Sequence, residues 1–336
     1  MPIKQKLLTP LAMLRVAVGA LSTLSAMSAL HASAAESPTA DVAKLVQAAE
    51  ALRVDASLYD TINLDWADAA RSRLVPAKLY LPTTHNAHVP DTARATTGKL
   101  PLVVFSHGRA PLQADRDKLQ YPVLIGHANY WLRKGVAVVA PVRPGYGETG
   151  GADRENSLTR WSGSICISDP DFTQVGRNAS AVVAAVHGWA VQQPWVRTDR
   201  ILLAGQSVGG LTAIAASALN LPGVLASVNF AGGAGGNPAA SPGSSCKPEN
   251  LTRTYAAYGK LVKVPSLWLY AENDLYWGAD APQRWYAAFS AGGSDAALVQ
   301  TGPLPEHDGH SLLAFGGRLW SVPLNAFVVK TGLLEP

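Results

Sequence analysis

Cysteine is nearly absent, with two residues among 336, so neither a four-ligand zinc spacing nor a disulfide-dense scaffold can be assembled. Long apolar runs are missing too. No stretch of about 20 consecutive apolar residues is available to span a bilayer. Charged side chains make up only 15% of the chain, no block of one sign interrupts it, and no internal repeat or collagen-like period is visible. What is present is a 48% hydrophobic composition, enough to bury one α/β-sized core or two smaller ones. These features exclude disorder and predict a soluble mature protein without stable membrane insertion.

The first residues have a secretory layout. Lys4, Lys6 and Arg15 precede an apolar stretch of roughly 15 residues, Val16 to Leu30, followed by the small-x-small site Ala32-Ser33-Ala34. Residues 1–34 are therefore expected to be a cleaved signal peptide, and residues 35–336 a single exported domain, periplasmic or secreted. Cleavage removes three basic and no acidic residues, which lowers the formal net charge from +4 to +1. No Lys/Arg cluster remains to track phosphates, so nucleic acid is not an expected partner. In an oxidising compartment Cys166 and Cys246 can pair.

Along the rest of the chain, short β-rich runs alternate with longer helical ones. The strands are expected at Pro101 to Ser106, Gly135 to Ala140, Arg200 to Ala204, Val224 to Phe230, Pro265 to Ala271 and Ala296 to Thr301, with Leu74 to Leu81 as an earlier antiparallel strand. The helices are expected at Leu119 to Lys134, Gln174 to Gln193, Val208 to Asn220, Arg253 to Lys263, Ala281 to Ala291 and Ser321 to Thr331. Runs such as Leu102-Val103-Val104-Phe105 lack polar alternation, the mark of strands covered on both faces. The fold class is therefore α/β, a doubly wound, mostly parallel sheet. Two long Gly/Ser-rich connections, about 141–172 and 231–250, follow carboxyl ends of strands, where ligands bind in open α/β sheets. Each carries one cysteine, so a disulfide between them would tie the two loops together across the site.

Gly205-Gln206-Ser207-Val208-Gly209 matches G-x-S-x-G and lies between a buried strand, Ile201 to Ala204, and an Ala-rich helix. A turn this tight strains the serine backbone and lifts its hydroxyl above the sheet, which only small neighbours permit. A rival pattern, Gly145-Tyr146-Gly147-Glu148-Thr149-Gly150, is a literal G-x-G-x-x-G. A dinucleotide site needs those glycines to open a helix, and residues 151–164 are polar, Gly-rich and without helical periodicity. A turn opening a long loop is the better reading.

On the strand–G-x-S-x-G–helix context, the chain from about Leu74 onward resembles the α/β-hydrolase superfamily, and within it dienelactone hydrolase-like secreted bacterial serine hydrolases. The resemblance implies a triad ordered Ser, acid, His. Ser207 would be the nucleophile. Asp274, beyond the strand Leu267 to Ala271, would be the acid, with Glu272 as its neighbour and competitor. His310 would be the base, with His307 as the alternative. The oxyanion hole would use the Val208 amide, at the positive end of its helix, and a donor from the His107-Gly108 element, assigned to Arg109 with His107 and Ala110 as alternatives. Trp131, Trp161, Tyr276 and Trp277 are candidates to line a substrate pocket.

The resulting expectation is an exported serine hydrolase that cleaves a small-molecule carboxylic ester through an acyl-enzyme, requiring no metal and no organic cofactor. Its activity should fall as His310 protonates. A peptidase or amidase on the same scaffold, and a non-catalytic binding protein of this fold, are the alternatives.

Overall fold

The described residues of the computed structural model are 51–55, 74–82 and 98–335. The expected signal peptide, residues 1–34, lies outside them. Ten strands are described, β1 (Ala51–Asp55), β2 (Leu74–Tyr80), β3 (Leu100–Ser106), β4 (Ala137–Pro141), β5 (Trp161–Ser162), β6 (Ile165–Cys166), β7 (Val196–Gln206), β8 (Val224–Phe230), β9 (Ser266–Ala271) and β10 (Ala296–Thr301). The helices are α1 (Gln113–Arg116), α2 (Ile125–Leu132), α3 (Phe172–Ala190), α4 (Val208–Ser217), α5 (Pro248–Gly259), α6 (Asp280–Ser290), α7 (Leu312–Phe315) and α8 (Gly317–Lys330).

Eight strands form one sheet in the order β1-β2-β4-β3-β7-β8-β9-β10. Both β1 and β2 pair antiparallel to their neighbours, and every pairing from β4 through β10 is parallel. A parallel sheet needs crossovers that cover its faces, and the side chains divide accordingly. Val103, Phe105, Val138 and Leu202 point to one layer with Trp131, Trp320, Leu324 and Val328 of α2 and α8. Their strand neighbours Leu102, Val104, Val139 and Leu203 point to the other, against Val182, Val186 and Ala213 of α3 and α4. Toward the β9 end, Trp268, Tyr270, Tyr255 and Trp285 fill the same side beneath α5 and α6. Strands buried on both faces read as continuous apolar runs, which is why β3, β4, β8 and β9 and the buried half of β7 follow the sequence closely.

Several elements differ from expectation, among them α5, which runs Pro248–Gly259 where the sequence predicts 253–263. A helix was expected over 119–134, but α2 occupies only Ile125–Leu132, because Pro122 disfavours helical geometry at Tyr121 and the chain is extended at Leu124. The strand β1 (Ala51–Asp55) is not among the strands expected from the sequence. The final helix also begins at Gly317, a turn earlier than the predicted start at Ser321.

The loop after β4 and the loop after β8 are the two long connections, and these strands stand three positions apart in the sheet. A Cys166–Cys246 disulfide joins the loops, with Cα atoms 5.2 Å apart and 80 residues between them in sequence. Among the described residues, no single helix is long and apolar enough to cross a membrane.

Candidate active site

Ser207 sits between β7 and α4 with φ 58° and ψ −124°, a left-handed backbone that a non-glycine residue adopts at a cost. The surrounding chain over-determines it. Its N–H donates to Phe230 O (2.9 Å), and its carbonyl accepts from Gly210, Leu211 and Gly233. Close approach explains the flanking glycines. A Cβ on Gly209 would stand 1.9 Å from Ser106 O, and one on Gly205 would stand 2.1 Å from Gly209 O. The Ser207 side chain does not cap α4. Val208 opens that helix, so its N–H belongs to the first turn, where helix amides have no intrahelical acceptor.

The acid candidate is fixed by backbone. Asp274 is 1% exposed, whereas Glu272 is exposed to solvent. Asp274 Oδ1 accepts from the amides of Tyr276 (2.7 Å) and Trp277 (3.1 Å), and Oδ2 accepts from His310 Nδ1 (3.0 Å). In the neutral imidazole, a carboxylate that can only accept selects the tautomer with the proton on Nδ1 and a lone pair on Nε2. Aromatic rings enclose the imidazole. Tyr276 stacks on it with centroids 4.1 Å apart, and Trp277 meets it edge-on at 5.4 Å. Burial, followed by the nearby Asp308 and Asp274 carboxylates, raises the Tyr276 phenol above its ordinary value.

His307 takes another role: its ring stacks on Phe315 at 3.9 Å, and its carbonyl accepts from Asn273. The Asp274 loop and the His310 loop are stitched together by polar side chains beside the candidate residues. Asn273 donates to Leu304 O and His307 O and accepts from the Leu304 amide, while Asp308 accepts from the amides of Leu275 and His310. Gln206, next to Ser207, donates to the His310 carbonyl (3.0 Å) and ties the base loop to the elbow. Only their position beside the acid, the base and the serine marks them in the sequence.

The segment after β3 passes over the elbow. A Cβ on Gly108 would lie 3.4 Å from Ser207 Cβ. His107 is buried in a structural arrangement: its Nδ1–H donates to Gly108 O, its Nε2 accepts from the Arg143 amide, and its ring meets Tyr146 edge-on. Burial first, then the Arg143 charge, holds its basicity well below that of free histidine.

The four aromatic candidates separate. Tyr276 and Trp277 are at the site, the latter also donating from Nε1 to Ala231 O (2.7 Å). Trp161 is half-buried in strand β5, within the first long loop, and pairs with Cys166 of β6. The expectation for Trp131 is corrected. It has no exposed surface, and it lies in the core with its Nε1 donating to His127, because its position in α2 faces the sheet. The Gly145–Gly150 segment opens no α-helix. It closes on itself through a Gly145 N–H to Gly150 O bond and a single 3₁₀ turn, Gly147–Thr149, against the dinucleotide reading. Among the described residues, no group of three or more His, Cys, Asp or Glu could hold a metal ion.

No family model matches this chain, and no curated protein matches it. Solved structures do. A Mycobacterium tuberculosis puromycin-hydrolyzing peptidase is similar over 86% of this chain and 40% of its own, with 19% identity and a TM-score of 0.54. Pyrococcus horikoshii acylaminoacyl peptidase is similar over 84% of this chain and 41% of its own, with 15% identity and a TM-score of 0.53. The chain thus spans about two fifths of the length of these peptidases. What the likeness shows is the architecture: the chain has the α/β-hydrolase fold.

Proposed function

We propose that the chain is an exported serine hydrolase that cleaves carboxylic esters through an acyl-enzyme. The observation that carries this reading is the buried Asp274 bonded to His310 at 3.0 Å, beside an elbow that holds Ser207 at φ 58°. Ser207 Oγ attacks the ester carbonyl carbon as His310 Nε2 takes its proton, and the carbonyl π pair moves to oxygen. The amides of Val208 and Arg109 donate hydrogen bonds to that oxyanion. Collapse breaks the bond to the alkoxide, which receives the proton from His310. Water repeats the sequence on the acyl-serine and releases the acid. Export is supported by the signal-like residues 1–34 and by the Cys166–Cys246 disulfide.

Amide cleavage is the second reading, because the solved structures that are similar in fold bear the names of peptidases. Labelling with a fluorophosphonate, located by mass spectrometry beside a Ser207→Ala control, tests the nucleophile. Adduct on Ser207 alone is expected, and its absence from folded protein would overturn the proposal. A matched series of p-nitrophenyl esters and p-nitroanilides then separates the two readings.

A further inference from the structure

The segment His107 to Pro111 has no regular structure of its own, yet the proposed chemistry requires one of its amides to point at a fixed place. What holds it comes from outside. Buried Arg116 donates to Ala110 O (3.2 Å) and Pro111 O (2.8 Å). The Arg109 guanidinium donates from Nε (3.0 Å) and Nη2 (2.6 Å) to one oxygen of Asp153, which lies 44 residues away on the first long loop. Asp153 is itself 8% exposed, receives Arg116 at 3.5 Å, and accepts on its other oxygen from the Glu155 amide (3.0 Å). Two residues on, Glu155 forms a fully buried ion pair with Arg143, which donates from Nε and Nη2, and also takes the Tyr146 hydroxyl. The Arg143 amide in turn donates to His107 Nε2.

Two carboxylates, Asp153 and Glu155, and two arginines, Arg116 and Arg143, are thus buried where the first long loop meets the segment that crosses Ser207, with the half-exposed Arg109 at the end of the network. Burying an ion costs several kcal/mol before its partner repays any of it, and an apolar replacement is often at least as stable. A network of this kind is therefore poorly explained by stability alone. What it does supply is direction: a doubly bonded guanidinium fixes the Arg109 side chain and, through it, the Arg109 backbone.

We propose that Asp153 is a positioning residue for the oxyanion donor, clamping Arg109 so that its amide faces the carbonyl oxygen attacked by Ser207. This rests on the serine hydrolase reading above. The loop bearing Asp153 is thereby part of the active site without touching substrate.

The test compares wild type with Asp153→Asn, Asp153→Glu and Arg109→Met on p-nitrophenyl butyrate, with a trifluoromethyl ketone as a probe of the tetrahedral adduct. Loss of a well-aimed oxyanion donor costs about 100-fold to 1,000-fold in kcat, so partial misdirection by Asp153→Asn should cost about 10-fold to 100-fold. KM should stay within about threefold, the ketone should bind more weakly by the factor lost in kcat, and Asp153→Glu should recover part of both. A variant that melts earlier but keeps kcat and ketone affinity would make Asp153 merely structural and overturn the inference. If Asp153→Asn does not fold, Arg109→Met, with its half-exposed side chain, carries the same comparison. A wild type that neither turns over esters nor labels at Ser207 removes the hydrolase reading and this inference with it. Turnover by wild type and Asp153→Asn at equal rates removes this inference alone.

Discussion

Asp274 accepts three hydrogen bonds, two from amides of its own loop and one from His310, and so is held in place before it can hold anything else. Its charge matters more than its shape. An Asn at this position can keep the amide bonds, but its NH₂ or its weaker carbonyl faces Nδ1, and the tautomer with a free Nε2 lone pair is no longer selected. On the proposed function, Asp274→Asn should therefore leave the melting temperature nearly unchanged and lower kcat by about 10⁴-fold, as removal of the anion does in Ser-His-Asp enzymes. Steady-state kinetics on an activated ester measures it; a loss below about tenfold would detach Asp274 from the chemistry. The candidate acid was readable because it follows an apolar strand, Leu267 to Ala271, in the order the fold family uses. His310 is preferred over His307 in the sequence only because it directly precedes the apolar turn Ser311-Leu312-Leu313; both lie in one short polar loop, and the structure separates them by placing one ring on Asp274 and the other on Phe315.

At the level of elements, the elbow and a helix interior make opposite demands on glycine. Gly209→Ala puts a methyl group 1.9 Å from Ser106 O and 2.5 Å from His107 O, so β3 and α4 must separate. Gly126, inside α2, has no neighbour within 4 Å of where its Cβ would stand and does not need positive φ. Thermal unfolding should show Gly126→Ala stabilised by about 0.5–1 kcal/mol and Gly209→Ala destabilised by more than that. Equal effects would mean that the elbow tolerates separation. The same contrast explains what could be read beforehand. Strands covered on both faces announce themselves by composition, as Val136 to Ala140 does, and a tight elbow announces itself by glycine spacing. A helix start governed by Pro122, or a tryptophan whose rim position depends on which way α2 faces, is decided by packing. The Arg109–Asp153 clamp joins residues 44 apart in sequence, and no periodicity encodes such a pair.

The molecule as a whole buries imidazoles in both of its layers. His127 lies among Phe105, Tyr130, Trp131, Phe230 and Trp320, and burial alone pushes it down to about 3. Burial likewise lowers His107 and His187, the latter bonded to Pro222 O. Each has a lower pKa in the folded state than in the unfolded one, so between those two values the unfolded chain binds more protons than the native one. Stability is then fully present above about pH 6.5 and is lost as pH falls, for His127 down to about 3. This contribution has the sign opposite to that of a histidine that gains a carboxylate partner. The melting temperature should therefore drop steadily from pH 7 to pH 4. His127→Phe, which keeps the ring volume and gives up only the bond to Trp131 Nε1, should melt lower at pH 7 yet fall less steeply toward pH 4. Differential scanning calorimetry of the two proteins across that range measures both slopes. Parallel slopes would place the acid sensitivity elsewhere than in this aromatic cage.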